Sequence, residues 1–313
     1  MEYRNLGGSG LKVSVLGLGG NNFGWWIDEQ RSAAVINHAL ALGINYIDTA
    51  DIYDKGRSEE YIGLTLKGRR TEVIIATKFS GQMGEGPNDR GGSRWYIMRA
   101  VEASLKRLNT DYIDLYQIHF PDPTTPIEET LRALDDLVMA GKVRYIGCSN
   151  FAGWQLSEAF WTSYVNNLNR FVTVQTKYNL FERQIEQELV PCCKAHGIGV
   201  IPWGPLAGGF LTGKYLRGEQ PKTPTTAKRP SKAFIEIYNG VMTDVNWERL
   251  EKLEAFAKIR SHKVGELAIA WLVSRPWLST VIAGATSPEQ LDQSVSGTDW
   301  KLTSEEIAQV EQI

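Results

Sequence analysis

Eight short segments rich in Val, Ile and Tyr recur along the chain, each followed by an amphipathic or polar stretch, and this alternation restricts the fold more than any other feature. They cover residues 15–19, 44–48, 73–77, 112–118, 143–148, 171–174, 198–201 and 280–283. Several are almost continuously apolar, as strands of a parallel sheet covered by helices must be. Helices are predicted over 30–42, 93–108, 125–140, 153–160, 184–196, 246–259, 263–274 and 288–295, with a last one from Glu305. The first puts Val35, Ala39 and Leu42 on one face and stops at Gly43, a residue suited to a left-handed terminator. The second repeats Ile97, Ala100, Val101, Ser104, Leu105 and Leu108 with a 3.6-residue period. The third reads as a capping box, with Thr125 as N-cap, Pro126 in the first helical position and Glu128 as partner, and buries Leu131, Leu134, Leu137 and Val138 before Gly141.

Repeated strand–helix units with right-handed crossovers leave a doubly wound sheet or a closed barrel. A doubly wound dinucleotide fold carries GxGxxG after its first strand. Here that strand runs into Gly17-Leu18-Gly19-Gly20-Asn21-Asn22, which lacks the third glycine. Eight strands then favour a single α/β domain over residues 1–313, a (β/α)8 TIM barrel with a short N-terminal β-hairpin and a long loop after the seventh strand. That loop, 213–245, holds Pro221, Pro224, Pro230, Gly218 and Gly240. It reads as a lid or binding loop, with a disordered stretch as the alternative.

Composition narrows the function. Lys plus Arg number 34 against 36 Asp plus Glu, a net charge of −2, which argues against a nucleic-acid surface or a polybasic membrane patch. The longest apolar runs, such as 198–202 and 267–273, are too short to cross a bilayer. The chain opens Met1-Glu2-Tyr3-Arg4 without an apolar leader, so a cytoplasmic location is expected. Cys148, Cys192 and Cys193 lack metal-ligand spacing, and no metal site is expected.

Polar residues collect where the strands end. Asp48 ends the second, with Tyr53 in the loop beyond; Lys78 follows the third, His119 the fourth, Ser149 and Asn150 the fifth, Gln175 the sixth, Trp203 the seventh, and Gly284, Ala285 and Thr286 the eighth. In a barrel these ends form one rim, the usual seat of an active site. Asp48, Tyr53, Lys78 and His119 make a coherent set there. A lysine ammonium beside a tyrosine hydroxyl favours the phenolate and lowers its pKa. Asp48 would hold the lysine charged, and His119 would donate to a carbonyl oxygen as charge develops on it. The set suits addition of a hydride and a proton across C=O.

At these residues the chain resembles the aldo-keto reductase superfamily. The resemblance is carried by Asn45-Tyr46-Ile47-Asp48-Thr49-Ala50 with Tyr53, by Asp114-Leu115-Tyr116-Gln117-Ile118-His119, and by the run from Gly141 to Asn150. It extends from Arg4 to the last helix, and the run from Trp203 to Tyr215 looks closest to the branch with potassium-channel beta subunits and many bacterial reductases. It implies that Asp48, Tyr53, Lys78 and His119 form the catalytic tetrad. It also implies a nicotinamide cofactor, NADP(H) favoured and NAD(H) possible. Gly20 and Asn21 would lie near the nicotinamide. Ser149, Asn150 and Gln175 would hold its carboxamide, and Trp203 would stack on its ring. Gly204, Pro205, Leu206 and Gly208 would follow the pyrophosphate, with Lys214 near the phosphates. Gly284, Thr286 and Gln290 would meet the 2′-phosphate and adenine side. The family often has a basic residue near Thr286-Ser287; Lys214 and Arg229 are the cations that could serve in its place.

Trp25, Trp26, Phe79 and Trp95 follow the first and third strands and are expected, with Tyr53 and His119, to wall a substrate site. The expected partner is a small-molecule carbonyl compound, such as a sugar or secondary metabolite. Two other readings stand beside the reductase: a cofactor-binding regulatory subunit that docks a partner protein, and another barrel enzyme such as a sugar-phosphate isomerase. Oligomeric state is not legible.

Overall fold

The computed structural model describes residues 1–218 and 240–313. The eight expected strands are present: β3 (Leu16–Gly19), β4 (Tyr46–Asp48), β5 (Ile74–Phe79), β6 (Ile113–Ile118), β7 (Val143–Ser149), β8 (Phe171–Lys177), β9 (Gly199–Trp203) and β10 (Val281–Gly284). All pair in parallel in the order β10-β3-β4-β5-β6-β7-β8-β9. The ring closes where Val200 of β9 bridges Leu278, just before β10, and the Ser279 N–H donates to the Val200 carbonyl at 3.0 Å. The fold is a (β/α)8 barrel.

Two antiparallel strands precede it, β1 (Tyr3–Asn5) and β2 (Lys12–Ser14). This hairpin caps the end at which the strands begin. Leu6 and Val13 join Tyr46, Ile74, Ala76, Leu115, Ile201 and Ile282 in the apolar filling of the barrel, and Arg4 donates to the carbonyls of Val273 and Arg275 at 2.7 and 3.0 Å. The opposite end is left to polar groups.

The helices are α1 (Glu29–Ala41), α2 (Arg57–Thr65), α3 (Arg94–Leu108), α4 (Ile127–Met139), α5 (Gly153–Val165), α6 (Leu189–His196), α7 (Asp244–Lys258), α8 (Val264–Val273), α9 (Pro288–Asp299) and α10 (Ser304–Glu311). The periodic set on α3 is buried throughout, and Gly43 and Gly141 adopt left-handed φ just past α1 and α4. Two expectations need correction. Thr125 does not cap α4: its hydroxyl donates to Asp122 Oδ2 at 2.8 Å, so Pro126 becomes the cap in an extended conformation and the helix starts at Ile127. The expected helix over 184–196 is a 3₁₀ turn, Gln184–Glu186, followed by α6. α2 was not anticipated at all.

Side chains alternate across each strand, and the filling named above sets the parity. Inward positions climb through Tyr46 and Asp48 on β4; Ile74, Ala76 and Lys78 on β5; Leu115 and Gln117 on β6; Ile201 and Trp203 on β9. The lower members are apolar and the uppermost polar, so the apolar interior ends in a polar layer at the C-terminal mouth.

Candidate functional site

A buried ion pair forms the centre of that layer. Lys78, with no exposed surface, donates from Nζ to Asp48 Oδ2 at 2.6 Å and to the Thr49 carbonyl at 2.8 Å. Gln175 Nε2 donates to the other carboxylate oxygen at 2.7 Å, and Gln117 Nε2 lies 3.5 Å from the same atom. Burial raises the Asp48 carboxyl above its ordinary value, opposed by the charge of Lys78 and by hydrogen bonds from Lys78 and Gln175. Burial also works against the Lys78 ammonium, but Asp48 and Tyr53 outweigh it and hold its pKa above the ordinary value. The ammonium is therefore charged, with carboxylate and carbonyl oxygens around it.

Tyr53 and His119 complete the cluster. The Lys78 ammonium is 5.2 Å from the Tyr53 ring centroid. The Tyr53 and His119 rings meet edge to face, with centroids 5.8 Å apart and planes at 80°. The sequence argument expects a lowered tyrosine pKa. Instead, burial pushes the Tyr53 phenol above its ordinary value, and Lys78 opposes the rise without cancelling it; the phenol keeps its proton at neutral pH. Burial and the charge of Lys78 hold His119 well below its ordinary value, so the imidazole is neutral and has a single N–H to give. It stacks on Phe120 with centroids 4.3 Å apart, and its Nδ1 is buried without a hydrogen-bond partner.

The residues expected around a cofactor form a hydrogen-bonded arc beside this cluster. Trp203 Nε1 donates to Asn150 Oδ1 at 3.2 Å; Asn150 Nδ2 lies 3.1 Å from both the His119 carbonyl and Ser149 Oγ. Gln175 is on the same arc, with its amide nitrogen engaged by Asp48. Gly204 has a left-handed φ of 68° and open space where a Cβ would project. Pro205 is buried, Leu206 packs on the core, and Gly208, also left-handed, accepts from the Tyr215 hydroxyl at 3.3 Å. The Lys214 ammonium lies over Gly209 and 4.9 Å from the Tyr215 ring centroid. Among the described residues no carboxylate pairs with it, whereas Arg217 is paired with Asp244 at 2.6 Å.

Across the mouth, Gly20 sits against Asp48 and Ser58, and Asn21 against Gly284, where the first and last barrel strands adjoin. Gln290 Oε1 accepts from the Thr286 N–H at 2.8 Å and so closes the turn into α9. Arg229 lies outside the described residues, as does most of the 213–245 loop.

The expected aromatic wall is only partly assembled. Trp25 is exposed and Trp26 half-buried, on a turn whose Gly24 packs so tightly on Asp54 that a Cβ would come within 2.5 Å of its carboxylate. That contact sets the two tryptophans next to the Tyr53 loop. Phe79 needs correction: it is fully buried against Tyr116, 4.8 Å away, in the core between barrel and helices. Strand alternation is the reason, since Lys78 points inward and its neighbour must point outward. Trp95 is 65% exposed on the first turn of α3, and among the described residues nothing ties it to the cluster. Gln117 was missed, although it lies two residues before His119 on the inward parity of β6. Asp51, buried behind the tyrosine loop, was missed as well.

The aldo/keto reductase family model matches residues 15–313. An uncharacterized oxidoreductase of Bacillus subtilis is 40% identical over 316 residues, covering 97% of this chain and 93% of its own. A protein of Oryza sativa subsp. japonica described as a probable voltage-gated potassium channel subunit beta is 36% identical over 323 residues, 100% of this chain and 96% of its own. Versiconal hemiacetal acetate reductase of Aspergillus parasiticus is 35% identical over 339 residues, again 100% and 96%. None of the described helices is long and apolar enough to cross a membrane.

Proposed function

The chain belongs to the aldo/keto reductase family, and from that premise we propose that it reduces an aldehyde or ketone with NADPH, reversibly, using Tyr53 as the proton donor. The observation that carries the reading is the convergence of a protonated phenol, a charged lysine and a neutral imidazole on one mouth of the barrel. When bound, the nicotinamide supplies the hydride. Tyr53 gives its proton to the carbonyl oxygen, and Lys78 stabilises the phenolate left behind. Asp48 keeps Lys78 charged and in place. His119 donates its one N–H to the same oxygen, adding the directed hydrogen bond that developing charge requires.

The neighbouring residues suit a dinucleotide. Trp203 offers a ring fixed through its indole N–H, Gly204 and Gly208 let the backbone come close to a pyrophosphate, and Lys214 is a cation that no carboxylate among the described residues holds. NADP(H) is preferred on the strength of Lys214, with Arg229 as a second candidate; Thr286 and Ser287 offer no charge. A phosphate needs charge-assisted donors. Lys214→Met is therefore expected to raise KM for NADPH by about tenfold or more, one charged hydrogen bond contributing roughly 1.5–3 kcal/mol, while KM for NADH changes far less. An equal loss with both cofactors would remove the assignment.

The wall of Trp25 and Trp26 beside Tyr53 suits a flat or cyclic carbonyl compound, and a relative named for reducing a hemiacetal acetate is in keeping with a secondary-metabolite substrate. NADPH absorbance followed across a panel of aldehydes, ketones and keto sugars tests the reading. Turnover supports it; tight NADPH binding without turnover of any carbonyl would favour a cofactor-binding subunit that docks a partner protein, a reading in keeping with relatives described as probable voltage-gated potassium channel beta subunits.

A further inference from the structure

Behind the tyrosine loop lies a second group of buried ionisable side chains that this chemistry leaves unused. Asp51 stands two residues before Tyr53. Facing it are Glu59 from α2, Tyr96 and Arg107 from α3, Tyr116 from β6, and Tyr53 from its own loop. Glu59, with no exposed surface, is fully matched: Thr77 Oγ1 donates to one oxygen at 2.5 Å and Arg107 Nε to the other at 2.6 Å. Arg107 is thereby engaged. Asp51, 1% exposed, has no ion-pair partner among the described residues, and its Oδ1 has no hydrogen-bond partner.

The other oxygen of Asp51 shares the hydroxyl of Tyr96 with a backbone carbonyl. Tyr96 Oη lies 3.2 Å from Asp51 Oδ2 and 3.0 Å from the Gly81 carbonyl. A phenol has one proton to donate. If it goes to Gly81, the nearer acceptor, the contact with Asp51 is a hydrogen bond only when Asp51 is itself the donor, as a carboxylic acid. A neutral Asp51 thus gives each contact its own proton, whereas an ionised one leaves the phenol shared between two acceptors.

This relay is wrapped around the tyrosine loop. The Asp51 N–H donates to the Lys78 carbonyl at 3.1 Å, and the Thr49 carbonyl accepts from Lys78 Nζ. Gly81 is pressed onto Ile52 so closely that a Cβ there would come within 2.1 Å of Ile52 Cγ2. Holding Gly81 therefore holds the residue before Tyr53.

We propose that Asp51 is a positioning residue: as a neutral acid it donates to Tyr96, which fixes Gly81 over Ile52 and so sets the loop that presents Tyr53. Losing that proton opens the relay and puts a negative charge beside the phenol. The titration agrees with the geometry, since burial and then the charge of Glu59, against Arg107, push Asp51 up to about 8. The catalytic part of the proposal rests on the reading of Tyr53 as proton donor; the protonation of Asp51 does not.

Infrared difference spectroscopy of the full chain, wild type against Asp51→Asn, well below and well above that pH, separates the two. A buried carboxylic-acid band is expected in the wild type at the lower pH, absent from Asp51→Asn and lost from the wild type at the higher pH. In steady-state assays the wild-type kcat should fall along an alkaline limb near the same pH. Asp51→Asn, whose amide can donate to Tyr96 and cannot ionise, should keep its turnover at neutral pH and lose that limb. Tyr96→Phe should lower kcat by up to about 10²-fold, as displacement of a catalytic group does, without changing NADPH affinity. An ionised Asp51 at the lower pH, or an unchanged alkaline limb in Asp51→Asn, overturns the proposal. If the protein turns over no carbonyl at all, the infrared result still decides the state of Asp51 while the reductase reading falls.

Discussion

Replacing Tyr53 with phenylalanine is expected to lower carbonyl turnover by roughly 10²–10⁴-fold, the usual contribution of a positioned general acid, with NADPH affinity nearly unchanged. The argument is local. The substitution removes one hydroxyl and leaves the ring, which meets His119 edge to face and lies beside the Lys78 ammonium. The Asp48–Lys78–Gln175 hydrogen bonds do not pass through the hydroxyl, and neither does the arc from Trp203 to Asn150, so the residues proposed to hold the cofactor should stay in place. A loss confined to kcat at constant cofactor affinity is what a missing proton donor produces. Single-turnover oxidation of bound NADPH, read by absorbance, separates this from slow product release. Retained turnover in the variant would mean that the proton comes from elsewhere.

Asp48→Asn should be the most damaging substitution for stability. It keeps the shape of the side chain and removes its charge, leaving Lys78 buried without a counter-ion. Breaking one side of a buried pair typically costs about 3–5 kcal/mol. The deficit should depend on pH with a definite sign. A buried, unpaired lysine has a folded pKa below its unfolded value of about 10.4. Below the folded value it is charged in both states and the whole cost is present. As pH rises from there towards the unfolded value, the native state increasingly holds the neutral amine and the deficit shrinks. Urea unfolding of wild type and variant across that range is the check, and a deficit that grows with pH contradicts the ion-pair account. Activity should fall too, because Asp48 no longer holds Lys78 charged and in place to stabilise the phenolate.

The barrel was readable because its strands are largely buried, and largely buried strands write themselves as apolar runs. The rim was readable for the complementary reason: Asp48, Lys78, His119, Ser149, Gln175 and Trp203 are polar or amphipathic residues at the ends of such runs, which have little place there unless they meet one another. What failed to register was held together by polar contacts. α2 is only nine residues long and buries Ser58 and Glu59 as well as Ile62 and Gly63, so it lacks the apolar stripe by which α3 and α4 were found. Glu59 is satisfied by Arg107, 48 positions away, a pairing that no local pattern encodes. Thr125 matched a capping box, but Asp122 competed for its hydroxyl and won. Phe79 was read by its distance from a strand end when its parity on β5 decided its direction. The same parity, applied along β6 from His119, would have found Gln117.

The measurement that bears most directly on the central claim is a crystal structure of the chain with NADP⁺. The nicotinamide ring should lie against Trp203, its carboxamide within hydrogen-bonding distance of Ser149, Asn150 or the free oxygen of Gln175, and its reactive carbon facing the space between the Tyr53 hydroxyl and His119. A nicotinamide seated away from Trp203, or with its reactive carbon turned from Tyr53, would contradict the account.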